Sequence, residues 1–338
     1  VTHTSLARGH SPGQPYGLVP LDGGVPSTFH TRVDPELVGG LAYSNALPPP
    51  TTVEELVRFR SRAAELVPPF DESATSVILR KHDGPVPLWS YTPPGEGPFP
   101  AIYWIHGGGM ISGSLPADQP YCTALAEATG CVVIAVDYRL APEYPHPVPV
   151  EDSYAGLEWA VAHAAELRID PRRLAVGGSS AGGGIAASVA LAARDRGGPA
   201  LAFQYLMYPM LDDTQTSPSS REFSGIPTWS RERNAFAWDC LLGSSDGSAT
   251  GSPYAAPARA LDLAGLPPAM IQVGELDLFR DEDVEYALRL LQGGVPTELH
   301  LYPGAYHGFE LVAPDASVSR QALSDRNRAL IRALHEQS

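Results

Sequence analysis

Residues 174–184 read LAVGGSSAGGG, and this stretch decides the fold. Leu174, Ala175 and Val176 form a short apolar run, Gly178-Ser179-Ser180-Ala181-Gly182 follows at once, and a small-residue segment comes after it. A strand, a tight turn and a helix in that order give a G-x-S-x-G element its structural setting. The central Ser180 must adopt a strained backbone to lift its hydroxyl above a sheet. Glycine two residues to either side lets strand and helix approach without Cβ clashes. The helix that follows aims its first N–H groups at any negative charge developing there. Two nucleotide-binding readings fail on the same residues. A phosphate loop would need lysine where Gly183 stands, and a dinucleotide turn would need glycine at Ser179.

Outward from this turn the chain alternates. Apolar runs at Ala101–Ile105, Val132–Val136, Leu174–Val176, Ala202–Met207, Ala269–Val273 and Glu298–Tyr302 are separated by helical stretches such as Ser153–Leu167, Gly183–Ala193 and Asp281–Leu291. Continuous apolar strands between helices predict an α/β architecture, a doubly wound and mostly parallel sheet covered on both faces. Thr52 with Glu55 three residues later predicts a capped helix over Val53–Leu66. Residues 1–50 read as an irregular Pro/Gly-rich arm with one short helix near Pro35–Leu41. Residues 212–256 interrupt the alternation with a Ser/Gly-rich insertion holding Trp229 and Trp238. The expected division is a catalytic core of residues 51–211 and 257–338, with the arm and the 212–256 insertion apart from it.

A second glycine element, His106-Gly107-Gly108-Gly109, follows the strand Ala101–Ile105 about 70 residues before the first. Consecutive glycines at a strand end leave backbone N–H groups unshielded and able to face one point, as an oxyanion site requires. A base and an orienting acid are then expected later in the chain, in the order Ser, Asp, His. Among the ten histidines, His106 belongs to the glycine element, His163 sits mid-helix, His300 lies inside the last strand and His335 in the terminal helix. His307 differs, because it falls just past that last strand, at the sheet edge where Ser180 should sit. Asp277, just past the strand Ala269–Val273, is the candidate acid. Glu275 lies nearer the strand and has the longer side chain, so either carboxylate could reach His307. Asp281, Glu282 and Asp283 open the next helix and read as dipole residues.

These residues resemble the hormone-sensitive-lipase-like esterases of the α/β-hydrolase fold (the HGGG, bacterial family IV type). Tyr138-Arg139-Leu140-Ala141-Pro142-Glu143 is similar to the family's YRLAPE segment, and Tyr208-Pro209 follows the strand after the serine turn as it does there. Asp277-Leu278-Phe279-Arg280-Asp281-Glu282 resembles its D-x-L-R-D-E acid motif, with Leu278 where proline is usual. His307-Gly308-Phe309 matches its HGF. Ser179 stands where the family's turn has an acidic residue, and Met110 where an aromatic is frequent. The resemblance spans about Pro100 to Phe309. It implies a serine carboxylesterase acting on short- to medium-chain acyl esters, with Ser180 as nucleophile, His307 as base, Asp277 as orienting acid, and Gly107, Gly108, Gly109 and Ala181 around the oxyanion. It also implies that the arm and the 212–256 insertion form a cap over the C-terminal strand edge. Two other readings on a similar fold stay open: a catalytically silent receptor for a small ligand, and a lyase or dehydratase.

Composition limits the partners. The chain has 338 residues, 43% of them apolar, and 23 basic against 38 acidic residues leave a net charge of −15. Such a surface offers no basic patch for nucleic acid. Three cysteines without CxxC spacing, Cys122, Cys131 and Cys240, suggest neither a disulfide framework nor a zinc site. No apolar run approaches the roughly 18 residues of a membrane helix, and the N-terminus shows no secretion signal. The expectation is a cytoplasmic protein with a small-molecule ester substrate, no metal or organic cofactor, no membrane insertion, and a homodimer as an open option.

Overall fold

A computed structural model describes residues 27–44, 50–67, 69–243 and 251–336. Eight strands form one sheet: β1 (Ile78–Asp83), β2 (Pro87–Thr92), β3 (Phe99–Ile105), β4 (Val132–Val136), β5 (Ile169–Ser179), β6 (Phe203–Met207), β7 (Ala269–Leu276) and β8 (Thr297–Tyr306). Their order is β1-β2-β4-β3-β5-β6-β7-β8. The strands β3 to β8 pair in parallel, and β1 and β2 pair antiparallel at one edge.

The helices are α1 (Ser27–His30), α2 (Val38–Ser44), α3 (Val53–Leu66), α4 (Leu115–Thr129), α5 (Val148–Ala162), α6 (Ala164–Leu167), α7 (Ala181–Arg196), α8 (Pro218–Glu222), α9 (Arg231–Leu242), α10 (Arg280–Gln292), α11 (Phe309–Val312) and α12 (Ser317–His335). Side chains of the central strands point alternately into two cores. On β3, Ala101, Tyr103 and Ile105 join one that includes Leu157 of α5, Ile185 of α7 and Leu290 of α10. Ile102 and Trp104 join the other, with Leu125 of α4 and Leu330 of α12. Burial on both faces explains why these strands are apolar throughout.

The apolar runs locate β3 to β8 but leave β1 and β2 unread. β1 carries Arg80, Lys81, His82 and Asp83 and is exposed along most of its length. An edge strand dressed in charge resists pairing with other chains, and it lacks the apolar signature for the same reason. Two helices also depart from expectation. The stretch Ser153–Leu167 is not one helix but part of α5 followed by α6. His163 stands at the break, not mid-helix, with its Nδ1 2.8 Å from the Trp159 carbonyl oxygen. The described part of the arm holds two helices, α1 and α2, and the one expected near Pro35–Leu41 falls at Val38–Ser44. By contrast α3 runs over Val53–Leu66, with Thr52 accepting the Glu55 N–H at 3.2 Å.

Within the described part of the arm, Phe29, Val33, Leu37 and Leu41 are buried. The Asp34 N–H donates to the Gly304 carbonyl at 3.0 Å, and the Tyr306 hydroxyl to the Leu37 carbonyl at 2.9 Å. The described part of 212–256 holds α8 and α9 and no strand. Ser219 ties it to the core, its N–H donating to Asp281 at 2.7 Å and its hydroxyl to the Leu278 carbonyl at 2.8 Å. No helix among the described residues is long and apolar enough to cross a membrane.

Candidate active site

Parallel pairing brings the C-terminal ends of β3, β5, β7 and β8 to one edge, and the four sequence elements follow those ends directly. Ser180 joins β5 to α7 at φ 56°, ψ −120°. That conformation costs about 1–3 kcal/mol for a residue with a side chain. The neighbouring glycines make it feasible. A Cβ on Gly178 would lie 2.3 Å from the Gly182 carbonyl oxygen, and one on Gly182 would lie 2.0 Å from that of Ile105. The segment after β6 clasps Ser180 on both sides. The Ser180 N–H donates to the Met207 carbonyl at 2.8 Å, and the Met210 N–H donates to the Ser180 carbonyl at 3.0 Å.

His307 follows the last residue of β8. Its Nε2 lies 3.0 Å from Ser180 Oγ, and its Nδ1 lies 2.8 Å from Asp277 Oδ2. Asp277 is fully buried, and its Oδ1 accepts the Phe279 N–H at 3.0 Å. Both carboxylate oxygens are therefore held. The imidazole meets the rings of Tyr208 at 4.5 Å, Phe279 at 5.3 Å and Trp229 at 6.2 Å. Glu275 faces elsewhere. It accepts the Gly304 N–H at 3.0 Å and pairs with Arg32 at 3.2 Å, and the Gly304 bond leads the causes that hold its carboxyl below the usual range.

The glycine element is a folded loop. The Gly108 carbonyl accepts the N–H groups of Ile111 at 3.2 Å and Ser112 at 2.9 Å, with Gly108 at φ +112° and Gly109 at φ +65°. Gly107 abuts the turn, where an added Cβ would lie 2.9 Å from the Ser179 carbonyl oxygen. On Gly109 a Cβ would lie 2.4 Å from the Trp229 ring. Ala181 is the first residue of α7, so its N–H has no acceptor within the helix. The 138–143 segment supports this loop. The Tyr138 hydroxyl donates to the His106 carbonyl at 3.0 Å, its ring stacks on the His106 imidazole at 4.3 Å, and the Ala141 N–H donates to the Met110 carbonyl at 2.9 Å.

Several contributors are invisible in the sequence pattern. Arg60 on α3 donates to the carbonyls of Ile111 and Ala141, each at 2.6 Å, and pairs with Glu143 at 2.7 Å, clamping the glycine loop to the 138–143 segment. Glu282 does more than complement a helix dipole. It is buried and accepts the N–H groups of Leu211 at 2.8 Å and Asp212 at 3.1 Å, while burial pushes its carboxyl well up. Of the two tryptophans in the insertion, Trp238 is buried in the core, whereas Trp229 lines a cavity of about 20 Å³ with Pro50, Phe59, Ile111, Ser112 and Arg233.

A serine hydroxyl, an imidazole and a buried carboxylate in one hydrogen-bonded line, beside a glycine loop and a helix N-terminus, can transfer an acyl group. Comparison with known proteins agrees with that chemistry. Residues 102–311 match the family described as the α/β hydrolase fold. Carboxylesterase NlhH of Mycobacterium tuberculosis is 40% identical over 255 residues, covering 74% of this chain and 79% of the relative. Esterase LipI of the same organism is 37% identical over 243 residues, covering 72% and 75%. The solved structure of a bacterial heroin esterase superposes with a TM-score of 0.84 at 41% identity, covering 92% of this chain and all of that one.

Proposed function

This chain belongs to the α/β-hydrolase fold family, in its hormone-sensitive-lipase-like branch, and from that premise we propose how it works. It is a carboxylic ester hydrolase. Ser180 is its nucleophile, His307 its base and Asp277 the acid that orients the base. The observation carrying this reading is the line of contacts at 3.0 and 2.8 Å through the two imidazole nitrogens.

In the first half-reaction Ser180 Oγ bonds to the ester carbonyl carbon while its proton passes to His307 Nε2. Asp277 accepts from Nδ1–H, fixes that tautomer and stabilises the imidazolium. The carbonyl oxygen, now negative, is bound by backbone N–H groups of the Gly107–Gly109 loop and of Ala181, an effect of roughly 3–4 kcal/mol per donor in a comparable enzyme. The C–O bond then breaks, and the departing alcohol takes the proton from His307. In the second half-reaction water attacks the acyl-serine with the same base, releasing the acid and restoring Ser180.

The described parts of the arm and of the 212–256 insertion form a cap. The Trp229 ring, packed against Gly109 and 6.2 Å from the His307 imidazole, supports acyl groups of about two to eight carbons over long triglycerides. Ser180→Ala should lower kcat on p-nitrophenyl butyrate by roughly 10⁴- to 10⁶-fold with the circular dichroism spectrum unchanged. A serine-directed phosphonate should label Ser180 in peptide mapping. Labelling of Ser179 instead, or faster turnover of emulsified long-chain fats, would overturn the assignment it tests.

A further inference from the structure

Glu310 is a buried carboxyl without a part in the chemistry above. It sits on α11, three residues beyond His307, and is 5% exposed. It cannot hydrogen-bond the imidazole, because both ring nitrogens are taken by Ser180 and Asp277. Its Oε1 instead accepts the hydroxyl of Tyr208 at 2.5 Å. Around it stand His307 and Tyr306 at the end of β8, Tyr205 and Tyr208 in and after β6, Tyr121 on α4 and Arg326 on α12. Burial pushes its carboxyl up, and the Tyr208 hydroxyl opposes this most strongly. A carboxyl in such a place destabilises the fold unless it is well partnered.

The partner explains the place. The Tyr208 ring meets the His307 imidazole edge-on at 4.5 Å. Its backbone is held at φ +37°, with the N–H donating to the Gln272 carbonyl at 2.6 Å. Tyr208 lies between Met207 and Met210, the residues that clasp Ser180 from both sides. The contacts therefore close a circuit, from Ser180 through the 207–210 segment to the Tyr208 hydroxyl, to Glu310, along the chain to His307, and back to Ser180.

We propose that Glu310 is a positioning residue that, by accepting the Tyr208 hydroxyl, ties the segment bearing His307 to the segment that clasps Ser180. The proposal rests on the reading of Ser180 and His307 given above. It acts on the separation of nucleophile and base, where a shift of about 1 Å can cost on the order of a hundredfold in rate.

The test is steady-state hydrolysis of p-nitrophenyl butyrate by Tyr208→Phe, Glu310→Ala, Glu310→Gln and the double variant Tyr208→Phe/Glu310→Ala, with Ser180→Ala alongside and thermal melts for each. Tyr208→Phe and Glu310→Ala should each lower kcat by roughly tenfold or more. Their KM should stay within about twofold, because the substrate-binding walls are untouched. The double variant should be no slower than the slower single, since both remove one interaction. Glu310→Gln keeps an acceptor oxygen and should return kcat to within about threefold of the parent. Parental kcat in Tyr208→Phe, losses that multiply in the double variant, or changes confined to KM would overturn the proposal. Should Glu310→Ala not fold, Tyr208→Phe and Glu310→Gln decide the matter on the same terms. Full turnover by Ser180→Ala would overturn the triad reading together with this one, whereas loss there with parental rates in the other variants overturns this one alone.

Discussion

Replacing Asp277 by asparagine isolates what the buried carboxylate does for the imidazole. The aspartate oxygens are both acceptors, one toward His307 Nδ1 at 2.8 Å and one toward the Phe279 N–H at 3.0 Å. An asparagine has one acceptor and one donor end. If its oxygen keeps the Phe279 bond, its NH₂ faces Nδ1, and the imidazole must turn to the tautomer that carries its proton on Nε2. That tautomer cannot take the proton of Ser180. If the amide flips, its NH₂ meets the Phe279 N–H in a site with no solvent, a mismatch of about 1–3 kcal/mol. The first arrangement is the cheaper one, and the expected loss is about 10⁴ in kcat, near 5.4 kcal/mol of activation free energy. Glu275→Gln is the matched control. Glu275 is about 38% exposed, its partners are Gly304 and Arg32, and solvent screens its charge. It should cost less than about tenfold. Both variants are assayed at pH 8 on p-nitrophenyl butyrate. A loss under tenfold in Asp277→Asn, or a larger loss in Glu275→Gln, would refute the reasoning.

Three further outcomes follow from the packing. Gly182→Ala should abolish soluble folded protein, because the new methyl would lie 2.0 Å from the Ile105 carbonyl oxygen; Gly197→Ala, with open space but φ +62°, should cost only about 1–2 kcal/mol in a denaturant titration. Asp283 is fully buried, and neither carboxyl oxygen has a hydrogen-bond partner among the described residues; burial, Glu282 and Asp277 push its carboxyl well up. Its stability contribution is therefore complete only below the unfolded pKa of about 4 and falls as pH rises toward the folded value, so Asp283→Asn should raise Tm more at pH 8 than at pH 4. Equal shifts at both pH values would contradict that sign. Trp229→Ala removes a wall of the cavity beside the glycine loop, and kcat/KM for decanoate relative to butyrate esters should rise several-fold.

The sequence by itself determined the central strands, the serine turn and the sheet edge at which the site forms. Strands β3 to β7 are legible because burial on both faces demands apolar runs, whereas β8, at the far edge, shows only as the half-exposed alternation of Glu298–Tyr302. The serine turn is legible because its backbone demands glycines at fixed offsets. Once those strands are parallel, residues just past their ends must share an edge, so Ser180, His307 and the 106–109 loop could be placed together without coordinates. The tertiary structure decided what depends on partners far apart in the chain. Asp277 and Glu275 are two residues apart and chemically alike, but β7 runs on to Leu276, so Glu275 lies within the strand and meets Gly304, 29 residues away, while Asp277 in the turn beyond it meets His307. Arg60 reaches the glycine loop across 51 positions, and Tyr208 reaches Glu310 across 102. Nothing local marks these residues, because an arginine on an amphipathic helix or a tyrosine after a strand has the same pattern whatever it touches. The charged edge strand β1 was hidden for a related reason, since it buries too little to show a period at all. Pattern records how much of a residue is buried and which backbone angles it must adopt. The choice of its partner is made only when the elements pack.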